Sequence, residues 1–444
     1  TVKGLIFFRI RKLYDIDIKQ QLITIKEEKI MSFDWEKLRK EEWPVLETMT
    51  FLDAACVSFA PQRIVNAVKD FADMTARQDE ESSGAHHLAL DAVREKAYEE
   101  AAKLLNADLD EIALVESTTH GLNIAARGMD LKDGDNIITT NLEFIQVALP
   151  WCMLRNEINL DIRVCKTTDN TFSSKDFDKL VDEHTKAIVM STIEWCNGWQ
   201  TDLEELGAYC QKKGIYLVVD AVQQLGVTKI DTKKAHIDVL VAGGHKWLNS
   251  PYGTGVMYVN KDTIKKLKQS YFGYLNTSVP EGGWPAYWAN PAAPSVNEWH
   301  FDDTARKFEI GGTCNYTGAL ALGESLQLVN EIGIDNIEAH VHELANYCMD
   351  RLEEIGGTLI TKREGNHFGG IVIARLYDDL DTDRVIQKAL QDQKIFIALR
   401  FTDFIGGFRI SCQYFNNKKD IDVMIDAMKE QIAKIGRQPD YKKK

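Results

Sequence analysis

The stretch YLVVDAVQQLGVTKIDTKKAHIDVLVAGGHKWLNSPYGTGVMYVN, residues 216 to 260, contains three apolar, β-branched runs at 216–220, 238–243 and 255–260. Runs of that length, bounded by turn residues, are those of strands buried on both faces. Upstream, IALVE (112–116), NIITTN (136–141) and AIVMST (187–192) repeat the pattern with helical segments between them. Strands alternating with helices predict an α/β domain built on a mainly parallel sheet. Between two of the runs, Thr201-Asp-Leu-Glu204 has the form of a capping box that opens a helix to about Lys213, and Gly214 ends it.

Beyond this block the pattern changes. Ile337, Val341, Leu344, Cys348 and Leu352 recur at helical spacing, short strands follow at 371–375, 394–400 and 408–412, and a last helix carries Val423, Ile425, Met428, Ile432 and Ile435. This predicts a smaller α+β domain. Residues 1–30 mix charged and apolar side chains and read as an appended or poorly ordered leader, with Met31 a more natural start. The expected division is thus a leader (1–30), an N-terminal segment packing on the small domain (31–66), a large domain (67–318), a small domain (319–438) and a basic tail (439–444).

With 67 acidic and 53 basic residues among 444, the net charge of −14 repels nucleic-acid backbones and anionic membranes. The apolar runs fall far short of the ~20 residues needed to span a bilayer. Eight scattered cysteines show no metal-ligand or disulfide spacing, which fits a reducing cytoplasm and gives no metal site.

Chemistry concentrates where strands end. Lys246, in Ala-Gly-Gly-His-Lys-Trp, follows the 238–243 run, and α/β sheets place ligands at such strand ends. A desolvated lysine there is a nucleophile toward carbonyls, although taken alone it reads more readily as a solvated loop residue. Asp220 ends YLVVD and so presents a carboxylate at the sheet edge, where it caps a helix or pairs with a pyridine nitrogen and makes that ring an electron sink. Gln223 is placed to turn back toward a ring oxygen. The turn Glu116-Ser-Thr-Thr-His-Gly-Leu-Asn123 offers hydroxyls and free amides at a helix N-terminus, a phosphate site. The helix dipole contributes only ~0.3–2 kcal/mol, so a covalent anchor such as Lys246 is needed beside it.

Taken together, STTHG (117–121), VVDAVQQLG (218–226), GHKWL (244–248), RKFEIGGTCN (306–315) and FRIS (408–411) resemble, in order and spacing, the class V aminotransferase family over about residues 48 to 436. The resemblance implies a pyridoxal-phosphate (PLP) enzyme of fold type I, with a seven-stranded large domain, a small C-terminal domain and a homodimer sharing its sites. It implies that Lys246 carries the cofactor as an aldimine, that Asp220 partners the pyridine nitrogen and that Gln223 donates to the ring hydroxyl. Thr118, Thr119 and His245 match phosphate contacts, and Thr313 matches the group that reaches the partner subunit's phosphate. Arg409 resembles the arginine that clamps the substrate carboxylate. Strand alternation agrees, because Phe408, Ile410, Cys412 and Tyr414 share one face and leave Arg409 on the other. His86 lies where relatives place a histidine near the substrate channel.

Two departures bear on function. Residues 401–408 (FTDFIGGF) contain no cysteine where many desulfurases of the family carry one, which disfavours a persulfide-forming desulfurase. In the segment 143–151, where those enzymes stack a histidine on the ring, Phe144 is the choice for an apolar cover. The whole looks closest to the isopenicillin N epimerase-like branch, with Gln200 where relatives have arginine in the pattern at 198–203. The expected function is PLP-dependent chemistry at the α-carbon of an amino-acid-like substrate through an external aldimine. The alternatives are C–S lyase or cysteine desulfurase-type sulfur release, and a non-catalytic PLP-fold binding protein, against which intact Lys246, Asp220 and Arg409 speak.

Overall fold

In the computed structural model the described residues are 33–442, apart from 168 and 302, so the leader read at 1–30 and the last two residues of the basic tail lie outside them. The strands, in chain order, are β1 (Thr50–Phe51), β2 (Ile112–Val115), β3 (Asn136–Thr140), β4 (Asp161–Cys165), β5 (Thr185–Ser191), β6 (Tyr216–Asp220), β7 (Val239–Gly243) and β8 (Gly255–Val259). They continue as β9 (Thr358–Leu359), β10 (Ile371–Arg375), β11 (Ile395–Phe396), β12 (Ala398–Thr402) and β13 (Ile405–Ser411).

Seven strands form one sheet in the order β2-β8-β7-β6-β5-β3-β4. Pairing is parallel from β4 to β7, whereas β8 is antiparallel to both its neighbours. Residues 244–254 join β7 to β8 without a crossover helix, so β8 must return alongside β7. β7 and β8 are buried throughout, as their continuous apolar runs require. The edge strand β4 was not among the predicted runs. Its DIRVC sequence is polar and partly exposed, which is the way a sheet edge is kept from pairing with other chains.

The second sheet, β12-β13-β10-β9, is antiparallel. Helix Ile334–Glu354 covers it with the predicted stripe of Ile337, Val341, Leu344, Cys348 and Leu352, all buried. The run expected at 394–400 divides into β11, which pairs with β1, and β12, which joins the small sheet. Helix Tyr316–Ile332 crosses the boundary drawn at 318/319 and packs on helix Glu95–Leu105 of the large body. The N-terminal segment ties to the small domain through β1 and through Arg39, paired with Asp420 at 2.7 Å.

The helix after β5 runs Leu203–Lys213, and Gly214 closes it in the left-handed conformation. Its cap is Asp202, which accepts from Glu205 N at 3.0 Å, one residue later than the predicted Thr201. Thr201 stands one residue before the cap and is buried.

Candidate active site

The loops at the carboxyl ends of the strands enclose a cavity of about 430 Å³. Its lining includes Lys246, Asp220, Gln223, Thr118, Thr119, His245, Phe144 and Arg409, so eight predicted positions meet there. Thr313 and His86 are not part of that lining. Thr313 is exposed in the turn before helix Tyr316–Ile332, and His86 is half-buried on helix Ser83–Asp91.

Asp220 sits at the last position of β6, 3 % exposed, and its Oδ1 accepts from Val222 N at 2.9 Å. Burial pushes its carboxyl up to about 6, against the pull of the Lys246 charge. Burial likewise pulls Lys246 down to about 8, Asp220 resisting and Arg409 assisting. Burial thus brings both groups near neutrality while each charge resists the other's shift, which leaves a reactive fraction of free amine at physiological pH. The Lys246 Nζ stands 5.9 Å from the centroid of Phe144, whose ring meets Trp195 edge-on at 5.4 Å.

Ser117 caps helix Thr118–Gly128, its Oγ accepting from His120 N at 3.2 Å. The amides of Thr118 and Thr119, in the first turn, have no carbonyl of their own helix to bond, and both residues line the cavity. Thr118 Oγ1 accepts from Gly243 N at 2.9 Å, which stitches this turn to the end of β7. A Cβ on Gly243 would lie 3.0 Å from His245 Nδ1 and 3.2 Å from Thr118 Oγ1, so a larger residue there would press on both side chains. Burial pulls His245 down to about 4, so it meets a ligand as a neutral ring. Gln223 is fixed at both ends, donating to Ala55 O at 3.2 Å and accepting from Trp247 Nε1 at 2.8 Å, with its second amide hydrogen still to spend.

Arg409 is 2 % exposed and projects from β13 into the cavity. One nitrogen donates to Asp53 Oδ1 at 3.1 Å, while Nε has no hydrogen-bond partner among the described residues. Burial outweighs the pairing on both sides, pushing Asp53 up and Arg409 down. A buried, half-satisfied guanidinium is the mark of a site waiting for a second anion.

The lining also holds residues that sequence reasoning missed: Cys56, Arg400, Trp195 and Gln146. Cys56 and Arg400 come from β1's exit loop and β12, far apart in the chain, and no local pattern links them. Behind Phe144 and Trp195 lie their sequence neighbours Glu143 and Glu194, both buried and both accepting from Thr140 Oγ1, at 3.4 and 3.1 Å. Burial pushes both carboxyls up, with the Asp220 charge adding to the rise at Glu143 and the Glu143 charge to that at Glu194, so the pair holds a proton.

This donor set fits PLP: an amine to carry its aldehyde, a carboxylate for its pyridine nitrogen and an N-terminal helix turn for its phosphate. The class-V aminotransferase family model matches residues 50–424. A probable cysteine desulfurase of Methanothermobacter thermautotrophicus is 27 % identical over 89 % of this chain and 98 % of its own. A cysteine desulfurase of Cronobacter sakazakii is 28 % identical over 73 % of this chain and 79 % of its own. In fold, the chain superposes on the apo cysteine desulfurase of Thermococcus onnurineus with a TM-score of 0.78 at 22 % identity, covering 90 % of this chain and 98 % of that one. It is also similar, at TM-score 0.77 and 18 % identity over 87 % and 99 % of the two chains, to a cystine C–S lyase in complex with its product cysteine persulfide. With its α/β fold type I architecture and the match across most of its length, this chain belongs to the class-V aminotransferase family of PLP-dependent enzymes.

Proposed function

We propose that this protein uses PLP to break the C–S bond of a cysteine-like amino acid and release its sulfur. The observation that carries the reading is the unmatched Nε of buried Arg409 in the same cavity as Lys246 and Asp220. A ligand that satisfies both ends has a carboxylate for Arg409 and an amine for the cofactor, which describes an α-amino acid. Sulfur as the leaving group is supported by the relatives that are named cysteine desulfurases. That support ranks sulfur release ahead of the epimerisation and transamination first expected.

PLP, once bound, supplies the electron sink that stabilises negative charge at the substrate's α-carbon. The remaining work belongs to the chain. Lys246 holds the cofactor and then moves the α-proton, for which its lowered pKa suits it. Asp220 keeps the pyridine nitrogen protonated, and the Thr118–Thr119 turn with His245 seats the phosphate. Gln223 presents its spare N–H to the ring hydroxyl. Phe144 covers the site with a ring that has no proton to give, so proton traffic is left to Lys246. A homodimer is part of the proposal: Thr313 is exposed and outside its own chain's cavity, as suits a residue serving a second copy. Eight free thiols suit the reducing cytoplasm. Among the described residues no helix is long and apolar enough to cross a membrane.

A panel of amino acids scored for sulfide, alanine, pyruvate, racemised substrate and keto-acid product tests the reading. Sulfur-bearing products from L-cysteine or L-cystine support it. Racemisation or amino transfer with the C–S bond intact would overturn it.

A further inference from the structure

Cys56 closes a turn that is fastened from several directions. Its N–H donates to Asp53 O at 2.9 Å, Ala55 N donates to Ser411 Oγ at 3.1 Å, and Ala55 O accepts from Gln223 Nε2 at 3.2 Å. Asp53, at the start of the turn, receives Arg409. These bonds hold the half-buried Cys56 side chain on the cavity wall shared with Lys246 and Arg409, and Arg400 Nη2 stands 3.9 Å from its sulfur. The sulfur thus shares its wall with two guanidinium groups, Arg400 and Arg409.

No other cysteine lines this cavity, and Cys165, Cys196, Cys210, Cys348 and Cys412 are buried. The partnerless Nε of buried Arg409 in the same wall marks where a ligand's anionic group would dock beside Cys56. Residues 401–408, which contain no cysteine, lie in the hairpin β12–β13. It turns tightly at Asp403 and Phe404, whose φ values of 45° and 66° match a two-residue I′ connection, with no room for a long loop. Cys56 stands at the base of that hairpin, beside Arg400 of β12.

We propose that Cys56 is the sulfur-accepting nucleophile of this enzyme, a role that rests on the sulfur-release reading above. The Cys56 thiolate attacks the sulfur of bound L-cysteine. An S–S bond forms and the substrate's Cβ–S bond breaks, its electron pair staying on the carbon skeleton, where protonation completes alanine. Cys56 is left as a persulfide. A free thiol then takes the outer sulfur as its own persulfide and restores the Cys56 thiol, so no external oxidant or reductant is consumed.

The test is peptide mass spectrometry on the PLP-loaded enzyme after L-cysteine without added thiol, with alanine and pyruvate measured in the same sample. We expect the mass of one sulfur atom added at Cys56, and alanine as the product. Cys56→Ser should keep the visible cofactor band, lose the sulfur adduct and form alanine at least about 100-fold more slowly. An unmodified Cys56 with pyruvate as product, or undiminished alanine from Cys56→Ser, would overturn the proposal while sulfur release itself stands. A wild-type enzyme that leaves the cysteine C–S bond intact would overturn both.

Discussion

Lys246 and Asp220 are buried together, and their pKa values move toward each other, to about 8 and about 6. Uptake of PLP requires the neutral amine, so its rate in the apoenzyme should rise with pH up to about 8 and level off above it. Because the Asp220 charge holds the Lys246 proton on, Asp220→Asn should shift that midpoint to lower pH, read as absorbance against time across a pH series. An unmoved midpoint would contradict the coupling. Arg409→Ala should weaken use of carboxylate substrates by about 1.5–3 kcal/mol, roughly 10- to 150-fold, the range for a hydrogen bond to a charged group. Amino-amide analogues, which lack the carboxylate, should lose much less, and a competition assay separates the two. At this scale the sequence was most legible where a residue ends a strand. Asp220 ends β6, Lys246 and Thr118 follow the ends of β7 and β2 by three residues, and those ends of one sheet converge. Cys56 and Arg400 were illegible because only the tertiary fold brings β1's exit against β12.

Helix Thr118–Gly128 is pressed onto β7 at Gly121, where an added Cβ would stand 2.4 Å from Val241 Cγ1. Val241 is fully buried and cannot move aside, so Gly121→Ala should push the helix off the sheet at roughly 1–3 kcal/mol of overpacking. Because that helix begins at the Thr118–Thr119 turn proposed to seat the phosphate, the variant should also release PLP more readily on dialysis. Thermal melting and retained absorbance check the two effects, and a variant unchanged in both would refute this packing. Buried strands were read correctly because their apolar runs are continuous. β4 escaped because its charged residues serve an exposed edge, and β8's direction follows from a short connection that composition does not reveal. The cap at Asp202 differs from the expected Thr201 by one residue because both types cap helices, and only geometry decides between them.

The molecule as a whole brings two sheets and an N-terminal strap around one cavity, so residues from both domains line it: Lys246 and Asp220 from the large sheet, Arg400 and Arg409 from the small one. The change from β-α alternation to helical periodicity in the sequence falls between the seven-stranded sheet and the four-stranded one. The boundary was harder to see, because helix Tyr316–Ile332 has the composition of either domain and is assigned only by its packing on Glu95–Leu105. A second copy is expected to complete the site through Thr313, so light scattering should give a dimer at assay concentration, and a fully active monomer would contradict this. The most direct test of the central claim is sulfur release from L-cysteine by the wild type and by Lys246→Ala, measured side by side. Wild-type protein should carry a visible cofactor band and liberate sulfur, and the variant should do neither. Wild-type protein that binds PLP yet racemises or transaminates cysteine with its sulfur in place, or a variant that still releases sulfur, would contradict it.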